Sequence, residues 1–165
     1  MTPDICSPPY KALNPFIRPT RLVCGTLVTR SVGKARRFYE DMLGLECALI
    51  EPGRMLVRTN ADARAQAHVS RDWMLDVRQK AEIANPQRVL HHWGIDLVSE
   101  EAVDRMHERL LANKSSYEIG KIFTPNTQHG SYGFYFSDFD SNWWEFQYVP
   151  PQYQHREMLI RGDVA

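Results

Sequence analysis

The chain has 165 residues and a mass of 19.2 kDa, with 43% hydrophobic and 24% charged residues. Twenty basic side chains balance twenty acidic ones, which gives no electrostatic case for nucleic acid or an anionic membrane surface as partner. The size suits one globular domain, no apolar run reaches the roughly 18 residues of a membrane span, and the first residues lack the basic and apolar regions of a secretory signal. Three cysteines, Cys6, Cys24 and Cys47, are too few and too odd for a disulfide framework, so a reducing, cytoplasmic setting is expected.

Five of the ten prolines fall at Pro3, Pro8, Pro9, Pro15 and Pro19. Proline fixes φ and removes a donor, so residues 1–20 read as an irregular arm ahead of a single domain over 21–150. Residues 21–29 read as a strand. Ser31 then caps a helix to about Leu43, with Val32, Ala35, Phe38, Tyr39 and Met42 at helical spacing and Gly44 as its stop. Strands follow at 46–51, 54–58 and about 72–78, with Pro52-Gly53 turning between the first two. Residues 91–98 read as a further strand, and Ser99 caps a helix through about Leu111, with Glu100 and Glu101 at the positive end of its dipole. Two aromatic-rich runs within 132–149 flank the polar stretch Asp138–Asn142 and predict a hairpin. Pro150-Pro151 ends the last strand, leaving 151–165 as a tail or partner-contacting arm.

The first strand and helix repeat. An offset of 68 residues places Leu27 on Ile95, Ser31 on Ser99, Ala35 on Val103, Phe38 on Met106 and Met42 on Leu110 without a gap. The implied order is β-α-β-β-β twice, with modules at about 21–80 and 90–150. The expected fold is α+β: two βαβββ modules packed into one cup-shaped mixed sheet, helices on its outer face. Strand alternation puts Trp93, Ile95 and Leu97 on one face and His92, Gly94 and Asp96 on the other. If the bulky set lies under the helix, His92 and its repeat equivalent Cys24 open onto the hollow. Trp143, Glu145 and Gln147 share a face of the last strand. If that face is the inner one, a thiol, an imidazole and a carboxylate converge, all of them donors to a divalent metal. The competing reading makes His92 a hydrogen-bonded core residue, Cys24 a small buried hydrophobe and Glu145 a solvent-facing carboxylate.

The stretches GTLVTRSVGKARRFYEDMLGLE, HHWGIDL and YFSDFDSNWWEFQ, in this order and spacing, resemble the vicinal oxygen chelate superfamily, which includes glyoxalase I, bleomycin-resistance proteins and type I extradiol dioxygenases. The resemblance spans about residues 21–150 and implies paired βαβββ modules around a metal-bearing cup. The extradiol branch, closest in pattern, holds Fe(II) with two histidines and a glutamate. His92 then matches the second histidine and Glu145 the carboxylate, while Cys24 stands where the first histidine is expected. His129-Gly130 and Tyr135 stand where that branch carries a histidine–glycine pair and a tyrosine, implying a proton shuttle and a hydrogen-bond donor. The closing hairpin departs from the family pattern, with Phe139 for proline and Ser141 for glycine. A positive φ at Ser141 would carry some strain.

A Cys24 thiolate would cancel the charge that Fe(II) keeps with two neutral imidazoles and one carboxylate, and it prefers softer metals. If Cys24 does not coordinate, His129 or Asp76 could supply a third ligand. The leading expectation is an Fe(II)-dependent, extradiol-like dioxygenase acting with O₂ on a small aromatic diol or phenolic, metal held by His92, Glu145 and Cys24, with His129 and Tyr135 assisting. The alternatives are a non-oxidative isomerase or lyase in the same cup, using another divalent metal or none, and a metal-free small-molecule-binding protein. The resemblance also admits a homodimer.

Overall fold

The computed structural model describes residues 24–59, 73–155 and 157–158. The proline-rich arm and most of the C-terminal tail lie outside this set. The element order is β1 (Cys24–Thr29), α1 (Val32–Asp41), β2 (Leu45–Glu51), β3 (Arg54–Thr59), β4 (Met74–Gln79), β5 (His92–Asp96), α2 (Glu100–Ala112), β6 (Asn126–Gln128), β7 (Ser131–Ser137) and β8 (Trp143–Tyr148). A 3-10 turn over Pro151–Tyr153 follows.

Both helices start where the sequence asks. Ser31 is extended and accepts from the Lys34 amide, and Ser99 accepts from the Ala102 amide at 3.2 Å. Each cap satisfies an otherwise orphaned donor, a contribution of about 1 kcal/mol. Gly44 and Gly53 take the positive φ values, 67° and 76°, that end α1 and turn β2 into β3.

The repeat holds at the level of topology. Among the described residues the strands form two four-stranded sheets, ordered β1-β4-β3-β2 (sheet A) and β5-β8-β7-β6 (sheet B). In each, the first and last strands of the module run parallel and the others antiparallel. The expected single mixed sheet is therefore two sheets, joined through side chains.

That junction is the hydrophobic core. Leu27, Met55, Val57 and Val77 of sheet A, Phe38 and Tyr39 of α1, Val103 and Leu110 of α2, and Phe134, Phe136, Trp144 and Phe146 of sheet B belong to one buried cluster. Tyr39 meets Trp144 edge-on at 5.1 Å between ring centroids, and Gly25 is bare because a Cβ there would run into the Trp93 ring. The helix-bearing faces of the two modules thus pack toward each other.

A polar clasp locks the modules together. In the loop between β7 and β8, Asp138 accepts from the amides of Asp140 and Asn142, each at 2.9 Å, and from the Asn142 side chain. From there Asp140 accepts from the Thr29 hydroxyl at 2.6 Å and from the Arg30 backbone and guanidinium, while the Asn142 side chain donates to the Val28 carbonyl. Ser141 does take the left-handed conformation, at φ 63°. No helix among the described residues is long and apolar enough to cross a membrane.

Candidate functional site

Because the helix-bearing faces meet in the core, the opposite face of each sheet looks outward. On sheet B that face carries His92, Gly94 and Asp96 from β5, Trp143, Glu145 and Gln147 from β8, and Tyr135 from β7. The register sets Gly94 beside Glu145 and Tyr135 beside Glu145 on the other flank. The sequence expectation that Glu145 and His92 share a face is met.

The pair is close, and one ring hydrogen of His92 is placed. His92 Nε2 lies 3.1 Å from Glu145 Oε2, with Glu145 almost wholly buried. His92 Nδ1 lies 2.7 Å from the Val89 carbonyl oxygen, which can only accept. One hydrogen therefore sits on Nδ1, which leaves Nε2 to face the carboxylate. A ring nitrogen and a carboxylate oxygen at this separation share a proton or, in its place, a cation. Burial first of all holds the Glu145 carboxyl above its ordinary range, while His92 and a hydrogen bond from Tyr135 pull it back. The Tyr135 phenol is raised by burial and by Glu145, so it stays a donor. Its ring packs on His92 at 4.7 Å. Trp143, level with His92 in the register, continues this wall, with Phe123 at 5.8 Å from it. An imidazole oriented by a backbone carbonyl and a neighbouring carboxylate are two donors of the kind a borderline divalent ion takes.

Cys24 does not join them. It lies on sheet A with Thr26 and Val28, opposite the buried Leu27, on the face turned away from the shared core, and it is exposed. Both residues point away from their helices as alternation requires, but the two faces look outward separately. Among the described residues no group of three or more His, Cys, Asp or Glu side chains comes together as a metal cluster.

His129 also stands apart. Gln128 pairs with Ser131, which leaves His129 and Gly130 as a two-residue hairpin turn with φ 51° and 83°. His129 is exposed, and the rise of β7 alone puts the turn about 13 Å from Tyr135. The histidine–glycine pair that suggested a proton shuttle is a turn motif here, with Gly130 lying close against Tyr153.

The register shows an equivalence that the gapless offset hides. Asp76 pairs with Thr26 as Glu145 pairs with Gly94, so Asp76 occupies the module 1 counterpart of Glu145. Its separation from Glu145 is one residue longer than the offset linking Cys24 to His92. Asp76 is not free to ligate: Arg54 donates to both its oxygens at 2.9 Å, and Arg78 donates at 2.8 Å. Arg54, ahead of Arg78, holds this carboxyl down at about 2.

The sequence matches the model of the Glyoxalase/Bleomycin resistance protein/Dioxygenase superfamily over residues 21–146. No curated protein matches. Among solved structures, a manganese-bound glutamate-to-glutamine variant of the fosfomycin resistance protein FosX from Listeria monocytogenes, in complex with a dihydroxypropylphosphonic acid, is 13% identical. It covers 86% of this chain and 100% of its own, with a TM-score of 0.60. A possible glyoxalase from Bacillus cereus is 22% identical over 78% of this chain and 98% of its own, with a TM-score of 0.58. A glyoxalase/bleomycin resistance protein/dioxygenase from Nocardioides is 16% identical over 84% and 89%, with a TM-score of 0.55. At these identities the likeness is one of fold.

Proposed function

The chain belongs to this superfamily, and from that premise we propose that it is a metal-dependent enzyme acting on a small aromatic diol or phenolic through two adjacent oxygens. The observation that carries the reading is the His92–Glu145 pair, an imidazole nitrogen and a carboxylate oxygen 3.1 Å apart beside an aromatic wall. His92 and Glu145 would hold Fe(II) or another divalent ion, and the manganese in the FosX structure is consistent with that range. Such an ion supplies Lewis acidity toward substrate oxygens. The protein's own groups do the rest. The Val89 carbonyl orients the His92 ring, Tyr135 would turn its hydroxyl hydrogen from Glu145 to developing negative charge, and the rings of Tyr135 and Trp143 flank a flat ligand.

One chain presents two ligands on this face. The outer face of sheet A, with Arg54 and Arg78 around Asp76, is complementary in charge to that of sheet B, with Glu145 and Asp96. A homodimer in which sheet A of one copy covers sheet B of the other would bring Cys24 to the pair, twice over by symmetry.

The first reaction to test is extradiol-like cleavage of the diol by O₂. Anaerobic reconstitution with Fe(II), followed by oxygen uptake over a panel of catechols, should show uptake that Glu145→Ala abolishes. Absence of both uptake and bound metal overturns the reading. A non-oxidative isomerisation or lyase reaction is the second reading, favoured by the distance of His129 from the pair, and it predicts turnover without oxygen consumption.

A further inference from the structure

Three glycines lie within the paired strands of the two sheets at Gly25, Gly94 and Gly133, and two have evident reasons. A Cβ on Gly25 would overlap the Trp93 ring, and one on Gly133 would meet the Phe146 carbonyl oxygen at 2.6 Å. Gly94 has no such reason. Its φ is not positive, and a Cβ there would make ordinary contacts, 3.4 Å to Gln147 Nε2 and 4.0 Å to Glu145 Oε2. The equivalent place in module 1 holds Thr26, a β-branched residue of the kind strands favour. Glycine inside a strand costs roughly 0.5–1 kcal/mol relative to alanine. At Gly94 nothing within the fold offsets that loss, and the bare backbone lies directly beside the carboxylate of the His92–Glu145 pair.

The notch has a polar rim. Gln147 is 8% exposed, and its Nε2 donates to Asp96 Oδ1 at 2.9 Å. A carboxylate only accepts, which fixes the amide's orientation and commits one of its two N–H groups. Among the described residues no acceptor meets the second N–H, and the nitrogen carrying it is the atom closest to the missing Cβ. Asp96 is thus a positioning residue for Gln147.

We propose that the Gly94 notch seats the ring of the substrate and that the free N–H of Gln147 donates to a third oxygen on that ring, so that Gly94 and Gln147 set specificity. This rests on the reading of His92 and Glu145 as the metal pair. Asp96 and Glu145 border the notch with negative charge, which selects against an anionic substituent. The substrate is therefore an uncharged planar diol bearing a carbonyl, amide or hydroxyl acceptor.

Titration of Mn(II)-loaded and metal-free protein with catechol, dihydroxybenzamide and dihydroxybenzoate tests this. In the unaltered chain the amide should bind most tightly. Gly94→Ala should weaken all three by roughly tenfold or more, the scale of one misplaced carbon in a fitted pocket, while Mn(II) affinity holds and the unfolding midpoint rises slightly. Gln147→Leu should erase the advantage of the amide and leave catechol unchanged. Gly94→Ala binding all three as the unaltered chain does, or Gln147→Leu keeping the amide preference, overturns the proposal even where Mn(II) binds. Failure of Mn(II) to bind counts instead against the metal reading, and the metal-free titration still reports on the notch.

Discussion

The outer faces of the two sheets share one lattice and differ in chemistry. Cys24, Thr26 and Asp76 of sheet A stand on the positions of His92, Gly94 and Glu145 of sheet B. In sheet B the carboxylate meets a single imidazole nitrogen. In sheet A it meets two guanidinium groups that consume its oxygens. Topology is set by where apolar side chains must be buried, and the repeat preserves that. The outward positions carry no such constraint, so an ion-pair cluster can occupy one half and a metal-type pair the other.

The sharpest way to break this comparison is to remove one donor from each face. His92→Ala should lower divalent-metal affinity by more than the roughly 10–100-fold that even outer-shell partners of a ligand carry, and Asp76→Asn should leave it nearly unchanged, as read by metal titration. Equal losses would mean that the arginines do not hold Asp76 away from the metal.

The next largest effect concerns the clasp of module 2 on module 1. Asp138→Ala strands two buried amides and the Asn142 side chain, so urea unfolding should show a loss of about 2–3 kcal/mol. Arg58→Ala removes an exposed pair with Glu46 on sheet A and should cost under about 1 kcal/mol.

The acids of the two modules also titrate in opposite senses. Burial lifts the Asp138 carboxyl to about 6, against the hydrogen bonds that lower it. The folded chain therefore holds that proton more tightly than the unfolded one, and the stabilisation is complete below about pH 4 and lost as pH rises through 6. Asp76, held at about 2, contributes stability that is present above about pH 4 and lost as pH falls through 2. Relative to the unaltered chain, Asp138→Asn should flatten the stability change between about pH 4 and 6, and Asp76→Asn should flatten the change below about pH 4. The smallest effect is at Ser141, where Ser141→Gly relieves the left-handed backbone and should add about 0.5 kcal/mol.

What could be read in advance follows from the same distinction. Helix caps, turn glycines and strand alternation are local, so Ser31, Ser99, Gly44, the βαβββ order and the grouping of Glu145 with Trp143 and Gln147 on one face were legible in the sequence, whereas which side that face took was left open. The short strand at Asn126–Gln128 was not, because three polar residues carry no alternation. His129-Gly130 was misleading because a hairpin turn with positive φ and a histidine–glycine motif look alike in letters. The separation of Cys24 from His92 was hidden for another reason. Alternation tells which way a side chain points from its own sheet, whereas the relation of two sheets depends on which aromatic faces pack together, a long-range choice made by Tyr39, Trp93 and Trp144. The Val89 carbonyl that orients His92 has no sequence signature at all.

The edge-on meeting of Tyr39 with Trp144 ties these regions mechanically. Trp144 immediately precedes Glu145, so the strand that aims the carboxylate is braced from behind by a helix of the other module. Trimming Tyr39, a residue remote from the outer face and from every donor atom there, would let β8 settle and would be felt as a change in the spacing between Glu145 and His92.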